Sequence, residues 1–297
     1  MITKPLKAPS RPLTEEEIAN LQFPVWASLK KDGIRGLTHP QLGLVSGKFL
    51  PIPNHYIRET VNDWGVPFLD GELVIPGATF NENQSIIMSK QHPRQKEFQF
   101  LVFDNFECPT SNYEQRMVRA QYFCTAANKP ELNFLSQSYI CSKEELYGYE
   151  EGAVQLGEEG VMIRRANVCD YYKSGRSTLR EGFLLKIVRH VRDEATIVGL
   201  IEQNENCNVA TIDELGHTKR SKHQDNLIGK NTLGAFLVNW RGHRMRIGTG
   251  EGLTDHWRKQ IWLHPYDYMG KTITFKYKPH GMKDVPRHPI FVGFREE

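Results

Sequence analysis

Five cysteines, Cys108, Cys124, Cys141, Cys169 and Cys207, are scattered with no C-x-x-C pair among them. That spacing argues against a zinc site, and an odd, dispersed set fits reduced thiols in a cytoplasmic protein. No apolar run is long enough to span a membrane, and the first residues, Met1 to Lys7, lack the apolar core of a signal peptide. Neither an internal repeat nor a low-complexity tract is present. The excess of positive charge is small, +3 over 297 residues, which by itself is weak evidence for a nucleic-acid partner. Its distribution says more. Lys219-Arg220-Ser221-Lys222-His223 and Arg241-Gly242-His243-Arg244-Met245-Arg246 concentrate basic residues in the C-terminal third. With 39% hydrophobic and 25% charged residues, the chain has ample material for a packed core, and its length predicts two domains of ordinary size or one large one.

The most informative stretch is Lys30-Lys31-Asp32-Gly33-Ile34-Arg35. An apolar run, Val25 to Leu29, precedes it and predicts a short buried strand. Asp32-Gly33 is a turn dipeptide, so Lys30 is expected at the strand end and Arg35 beyond the turn. An amine attacks only when uncharged, and nearby cations, a bound metal or burial favour that form. Arginine keeps its proton and remains a fixed donor for a ribose or phosphate oxygen. The alternative is a surface hairpin whose turn happens to be lysine-rich.

Further along, Thr14 to Leu21 predicts a capped helix and Gly43 to Ser46 a strand, with a helix following Pro51-Ile52-Pro53-Asn54 through Asn62. Val66 to Val74 places Asp70-Gly71-Glu72 inside an apolar run. Buried carboxylates are costly unless paired or metal-bound, so Glu72 is a candidate ligand of a metal or ribose; a hairpin at Asp70-Gly71 is the alternative. Phe98 to Asp104 predicts a core strand whose Phe103 ring serves either packing or base stacking. Helices are expected over 112–128 and 143–156. Glu158-Glu159-Gly160 stands directly before a β-type run, and Tyr171 to Ser177 forms a basic, aromatic loop. In Phe183 to Arg189 a single Lys186 interrupts an apolar strand, and a buried lysine needs a partner such as a phosphate. Beyond residue 191 short β-type runs alternate with turns around one helix, Thr254 to Leu263, which predicts a small barrel such as the OB-fold.

In their order, these stretches resemble the nucleotidyltransferase superfamily, and within it the ATP-dependent DNA ligases of small bacteriophage or bacterial type. The counterparts are Lys30 to Arg35, Phe68 to Glu72, Val102-Phe103-Asp104, Glu159-Gly160-Val161-Met162 and Leu185-Lys186. Arg246-Ile247-Gly248-Thr249-Gly250 and Pro286 to Phe291 are similar to the ligase OB domain. The resemblance implies an α+β protein, with an adenylation domain over 1–190 (ATP-grasp-like, with antiparallel sheets) and an OB-fold barrel over 191–297. It implies ATP and Mg²⁺ or Mn²⁺ as cofactors, nicked duplex DNA as partner, and a monomer in the cytoplasm of a bacterial or phage-infected cell, acting in replication, repair or recombination. Lys30 would accept AMP, with Lys186 as a second catalytic residue. Ser28, Leu29, Arg35, Glu72, Phe103, Met162 and Lys186 would hold the nucleotide, and Glu72 and Glu159 the metal. Lys48, Arg176 and Arg246 would contact DNA, with the basic segments 219–223 and 241–246 tracking phosphates, and Arg295 would orient pyrophosphate. Residues 189–194 are expected to act as a hinge. Three positions depart from the family pattern: Val188 replaces a second lysine beside Arg189, Gly47 follows Ser46 where many relatives carry arginine, and the chain ends Arg295-Glu296-Glu297. An RNA ligase or mRNA guanylyltransferase, which share this lysyl chemistry, and a non-catalytic nucleic-acid-binding protein are the competing expectations.

Overall fold

The computed structural model describes residues 2–166, 170–212, 218–221, 224–250, 252–278, 282 and 284–295. Cys169, Lys222, His223, Glu296 and Glu297 therefore lie outside the described residues. One compact unit runs to Val188 and another begins at Arg189.

The first unit contains two sheets. A four-stranded sheet, ordered β7-β1-β8-β9, is built from β1 (Val25–Leu29), β7 (Ser138–Ile140), β8 (Val161–Arg165) and β9 (Leu185–Ile187). A five-stranded sheet, ordered β3-β2-β4-β5-β6, is built from β2 (Ile34–His39), β3 (Gly43–Ser46), β4 (Leu69–Val74), β5 (Gln99–Asn105) and β6 (Leu132–Phe134). The expected antiparallel pairing holds except between β5 and β6, which run parallel. The helices are α1 (Glu15–Ala19), α2 (His55–Asp63), α3 (Phe80–Ile87), α4 (Tyr113–Ala127) and α5 (Lys143–Gln155). Thr14 and Glu17 form a capping box on α1, Thr79 and Glu82 another on α3, so each satisfies orphan N–H groups at its helix start.

Each sheet divides its side chains by the period of two. In β4, Leu69 and Leu73 enter one core with Phe100 and Val102 of β5, while Asp70 and Glu72 point to the other face. In the four-stranded sheet, Val25, Ala27, Val161, Ile163, Leu185 and Ile187 form a second core, leaving Met162, Arg164 and Lys186 opposite. The segment Lys30 to Gly33 passes from β1 in one sheet to β2 in the other. It is thus a crossing between sheets, which removes the surface-hairpin alternative. Asp70-Gly71 likewise sits inside β4, paired to both β2 and β5, and not at a hairpin.

In the second unit β10 (Val191–Asn206), β11 (Ala210–Ile212), β12 (Thr218–Arg220), β13 (Leu227–Trp240), β14 (His243–Ile247), β15 (Thr249–Gly250), β16 (Thr272–Lys278) and β17 (Arg287–Phe294) accompany α6 (Asp255–Leu263). The sheet order is β14-β13-β10-β16-β17-β15. Because β14 and β15 are consecutive, separated only by Gly248, the sheet curls until one segment closes it on both sides. The result is the OB-type barrel, filled by Ile197, Phe236, Val238, Ile273, Phe275 and Phe291. Two expectations change here. The strands β10 and β13, of 16 and 14 residues, are far longer than the short runs anticipated; their distal halves pair with each other and carry little apolar alternation. Of the segment 189–194, expected as a hinge, Val191 to Glu194 are strand residues of β10 that pair with β16.

Gly160 shows how tightly the four-stranded sheet is built. Its φ is +150°, and a Cβ there would lie 2.1 Å from the Ile187 carbonyl oxygen of β9. Gly157 is left-handed too, but open around its Cα. Gly160→Ala should therefore melt well below wild type, whereas Gly157→Ala should lose only about 1–2 kcal/mol for the left-handed backbone. Thermal melts of the two variants check this; equal melting points would contradict the close approach.

Candidate active site

The faces left free by the two cores converge on one cleft. It is lined by Ser28, Leu29, Lys30, Lys31, Arg35, Glu72, Phe103, Met162 and Lys186, together with Lys7, Ala8, Leu135, Arg164 and Leu184. Lys30 sits where β1 ends. Its backbone N–H donates to the Gly160 carbonyl at 2.8 Å, and the Glu159 N–H donates to the Lys30 carbonyl at 3.3 Å. The Lys30 ammonium forms an ion pair with the Glu159 carboxylate, and Lys31 forms one with Glu158. Both acids precede β8, so the turn that carries the lysines is fastened to the neighbouring strand by backbone and charge together.

Arg35 stands opposite Glu72 across the β2–β4 ladder. Its guanidinium is clasped by Asp70 through two 2.5 Å hydrogen bonds, Nε to Oδ1 and Nη2 to Oδ2. Nη2 also donates to the Leu6 carbonyl at 3.0 Å. The guanidinium lies 4.8 Å from the Phe103 ring centroid, so the ring also serves as a platform for the arginine. The Tyr172 hydroxyl donates to Asp70 from the far side. Burial pushes the Asp70 carboxyl up against the pull of Arg35 and Tyr172. Burial and the Asp70 charge push the Tyr172 phenol well up, which keeps it a donor. Glu72 has no hydrogen bond or ion pair among the described residues. Burial pushes its carboxyl up to about 7, even with Arg35 and Lys30 close enough to draw it down.

Behind the cleft lies a second set of charges. Asp104 accepts from Arg116 Nε of α4 and from Arg164 Nη2 of β8, each at 2.9 Å. Arg116 reaches Asp170 at 3.4 Å, and the Asp170 carboxylate accepts the Tyr113 N–H at 2.7 Å. Asp104 and Arg116 are wholly buried.

The structure thus brings together Ser28, Leu29, Lys30, Arg35, Glu72, Phe103, Met162 and Lys186, with Glu159 on the Lys30 ammonium. The Lys186 ammonium donates to the Ser10 carbonyl at 2.9 Å. Arg176 donates to the Ala8 carbonyl at 2.8 Å, and Lys48 is exposed nearby. Arg246 and Arg295 belong to the second unit. Arg246 lies exposed on β14, while Arg295 pairs with Glu194 at 2.5 Å. Of the basic segments, Arg241 pairs with Asp193 at 3.0 Å, and Arg220 donates to the Asn208 carbonyl. Sequence reasoning missed Lys7, Asp70, Tyr172 and Arg164. Strand alternation carried a signal for two of them, because Asp70 shares the face of Glu72 and Arg164 that of Met162.

A lysine at a strand end, faced by two acids and a ring in a cleft between two sheets, fits the covalent nucleotidyltransferases. Within this class the comparisons agree on one family. The model of the DNA ligase OB-like domain matches residues 229–295. Chlorella virus DNA ligase, solved as its adenylate, is 31% identical, with 100% of this chain and 99% of that one covered and a TM-score of 0.57. A structure from a study of Lig E DNA ligases shares the fold at 22% identity, with 91% of this chain and 92% of that one covered and a TM-score of 0.66. No curated protein sequence matches. The chain belongs to the DNA ligases.

The Asp70 clasp makes a prediction about stability. Tyr172→Phe removes one hydrogen bond to a charged group and should cost about 1.5–3 kcal/mol. Asp70→Asn removes the charge partner of Arg35 and should cost more, about 3–5 kcal/mol. Melting temperatures of both variants give the order, and a milder effect for Asp70→Asn would contradict the assignment.

Proposed function

We propose that the protein is an ATP-dependent DNA ligase that seals nicks in duplex DNA through a lysyl-AMP intermediate. The observation that carries this reading is Lys30 itself, fixed at the mouth of β1 in a cleft that also presents Glu72, Glu159, Phe103 and Lys186. The Lys30 amine attacks the α-phosphorus of ATP, forming a P–N bond as the bond to pyrophosphate breaks. The 5′-phosphate of the nicked strand takes the adenylate and frees Lys30. The 3′-hydroxyl then attacks that phosphorus, and AMP leaves. Each displacement is in line, so positioning and neutralisation of charge supply most of the catalysis.

Phe103 and Met162 fit the adenine from opposite sheets. Arg35, locked by Asp70, presents a donor of fixed orientation to the nucleotide, and Lys186 serves the α-phosphate. The same acid, Glu159, that balances Lys30 before loading can pass to another cation when ATP arrives. No group of three or more metal-ligating side chains exists among the described residues, but Mg²⁺ binds through one or two carboxylates plus phosphate oxygens and water. Glu72 and Glu159 provide such a pair of hard oxygen donors, and the absence of any protein partner for Glu72 supports the fit. Bound there, Mg²⁺ would screen the phosphate charge and favour the uncharged amine. DNA as the nucleic acid, against the RNA-ligase and capping alternatives, is supported by the OB-domain match and by similarity along the whole chain.

Incubation with α-labelled ATP and Mg²⁺ followed by denaturing electrophoresis should leave label on the wild type, after pyrophosphate pretreatment to clear bound adenylate, and none on Lys30→Ala. Unlabelled wild type would overturn the ligase reading.

Glu72 gives a pH dependence whose sign is fixed. Its carboxyl, at about 7, is protonated and a poor ligand below that value and ionised above it. Metal binding must therefore release a proton. The Mg²⁺ concentration giving half-maximal labelling should fall as pH rises from 6 toward 7 and level off above. Glu72→Gln should remove this pH dependence; a pH-independent metal requirement in the wild type would contradict it.

A further inference from the structure

We propose that Lys7 binds the 5′-phosphate of the DNA strand to be adenylated, in space left open by the missing side chain of Gly47. The inference rests on the ligase reading and names the group that recognises its second substrate.

The N-terminal arm is docked where its sequence gave no sign of a role. The Lys7 N–H donates to the Gly175 carbonyl at 2.8 Å, and the Ser177 N–H donates to the Lys7 carbonyl at 2.7 Å. Residue 7 and Arg176 are paired as an isolated parallel bridge. Leu6, beside it, is wholly buried, and its carbonyl receives the Arg35 guanidinium. With its backbone so held, Lys7 extends an exposed side chain into the lining of the cleft. A Cβ built on Gly47 would meet Arg35 Cγ at 3.6 Å and the Lys7 ammonium nitrogen at 3.9 Å. A side chain at position 47 would thus begin in ordinary contact with both the Arg35 side chain and the Lys7 ammonium.

The surroundings of this ammonium are of one sign. Burial lowers its pKa, and Arg35, Arg176, Lys48 and Lys4 lower it further. No carboxylate among the described residues pairs with Lys7. Four of these cations, Lys4, Lys7, Lys48 and Arg176, are exposed, and Lys7 among them lines the cleft, whereas Arg35 is tied to Asp70. Like charges held together without an acid are complementary to a multiply charged anion, and a terminal phosphate monoester supplies more charge and more acceptor oxygens than a backbone diester. The triphosphate tail of ATP has the same chemistry. The exposed, rim-side position favours the incoming strand.

The test uses the full chain, adenylated at Lys30 and with a chelator present so that no chemistry follows binding. Affinities are measured for nicked duplexes that differ only in carrying a 5′-phosphate or a 5′-hydroxyl. Wild type should prefer the phosphate by roughly tenfold or more, the scale of one charge-assisted contact. Lys7→Ala and Lys7→Gln should bring the two duplexes to near parity. Gly47→Arg added to Lys7→Ala should restore the preference, because the built Cβ makes only ordinary contacts. A merely structural role for the arm would not respond to this rescue. Wild-type preference retained in both Lys7 variants would overturn the proposal, as would a rise in the KM for ATP during self-labelling with the preference intact, which would assign the ammonium to the triphosphate. Labelling of the same wild-type preparation with α-labelled ATP separates the two levels. Labelled protein with an unaltered Lys7 variant refutes the role of Lys7 alone, and unlabelled protein refutes the ligase reading and this proposal with it.

Discussion

Buried carboxylates that each serve more than one partner hold the first unit in shape. Asp104 joins Arg164 of the four-stranded sheet to Arg116 of α4, with β5 of the other sheet supplying the carboxylate itself. Asp70 does the same between Arg35 and Tyr172. Taking such groups out of water is costly, and their mutual attraction offsets that cost only when geometry and hydrogen bonding are nearly complete. The consequence is that the sheets cannot slide by a residue without leaving a charge unpaired. The walls of the cleft are therefore set by electrostatics, while the apolar cores behind them supply the bulk of the stability.

This arrangement explains why catalytic groups come from alternate positions of ordinary strands. Every strand near the cleft gives one face to a core and the other to chemistry: Leu69 and Leu73 against Asp70 and Glu72, Val161 and Ile163 against Met162 and Arg164. Lys30, the proposed nucleophile, is the exception, being placed on the segment that crosses between the sheets. Such a segment has no ladder of its own. It is held instead by the Lys30–Gly160 and Glu159–Lys30 backbone contacts and by two ion pairs, and Gly33 lets it pass close to β4, where a Cβ would lie 2.3 Å from the Leu73 carbonyl.

What could be read in advance follows the same division. The Glu72 and Lys186 stretches were legible because each is a charged residue in an otherwise apolar strand, an arrangement with a high desolvation cost that only function or pairing explains, whereas Lys30 and Glu159 were legible from their places just after and just before apolar runs. The helices α4 and α5 were legible from their caps and length. The three-residue strands β6 and β7 were not, because they are too short to show a period. The capping box of α3, Thr79 with Glu82, was present in the sequence and overlooked. The length of β10 and β13 was hidden by a polar distal half, and the parallel entry of β6 by its place on an edge. Lys7 had no local signal at all, since its position depends on a bridge to Arg176, far away in sequence.

The charge balance of the cleft gives a physical reason for the order of the reaction. Before nucleotide arrives, Lys30 is neutralised by Glu159, Lys31 by Glu158 and Arg35 by Asp70, so the deepest cations are already paired. The cations on the rim are not balanced in this way: Lys7 and Lys48 have no acid opposite them among the described residues. On the proposed function, an ATP molecule would compete with internal carboxylates for its partners, and a metal held by Glu72 and Glu159 would draw Glu159 from Lys30. A DNA phosphate, on the proposal for Lys7, would meet cations that no carboxylate among the described residues occupies. On the same reading the first substrate would be coupled to the metal through Glu72 and Glu159 and to pH through Glu72, whose carboxyl burial pushes up to about 7, while the second would be governed by long-range attraction that salt screens. The proposed roles thus separate two substrates of the same chemical kind by whether the cations assigned to them already have a carboxylate partner.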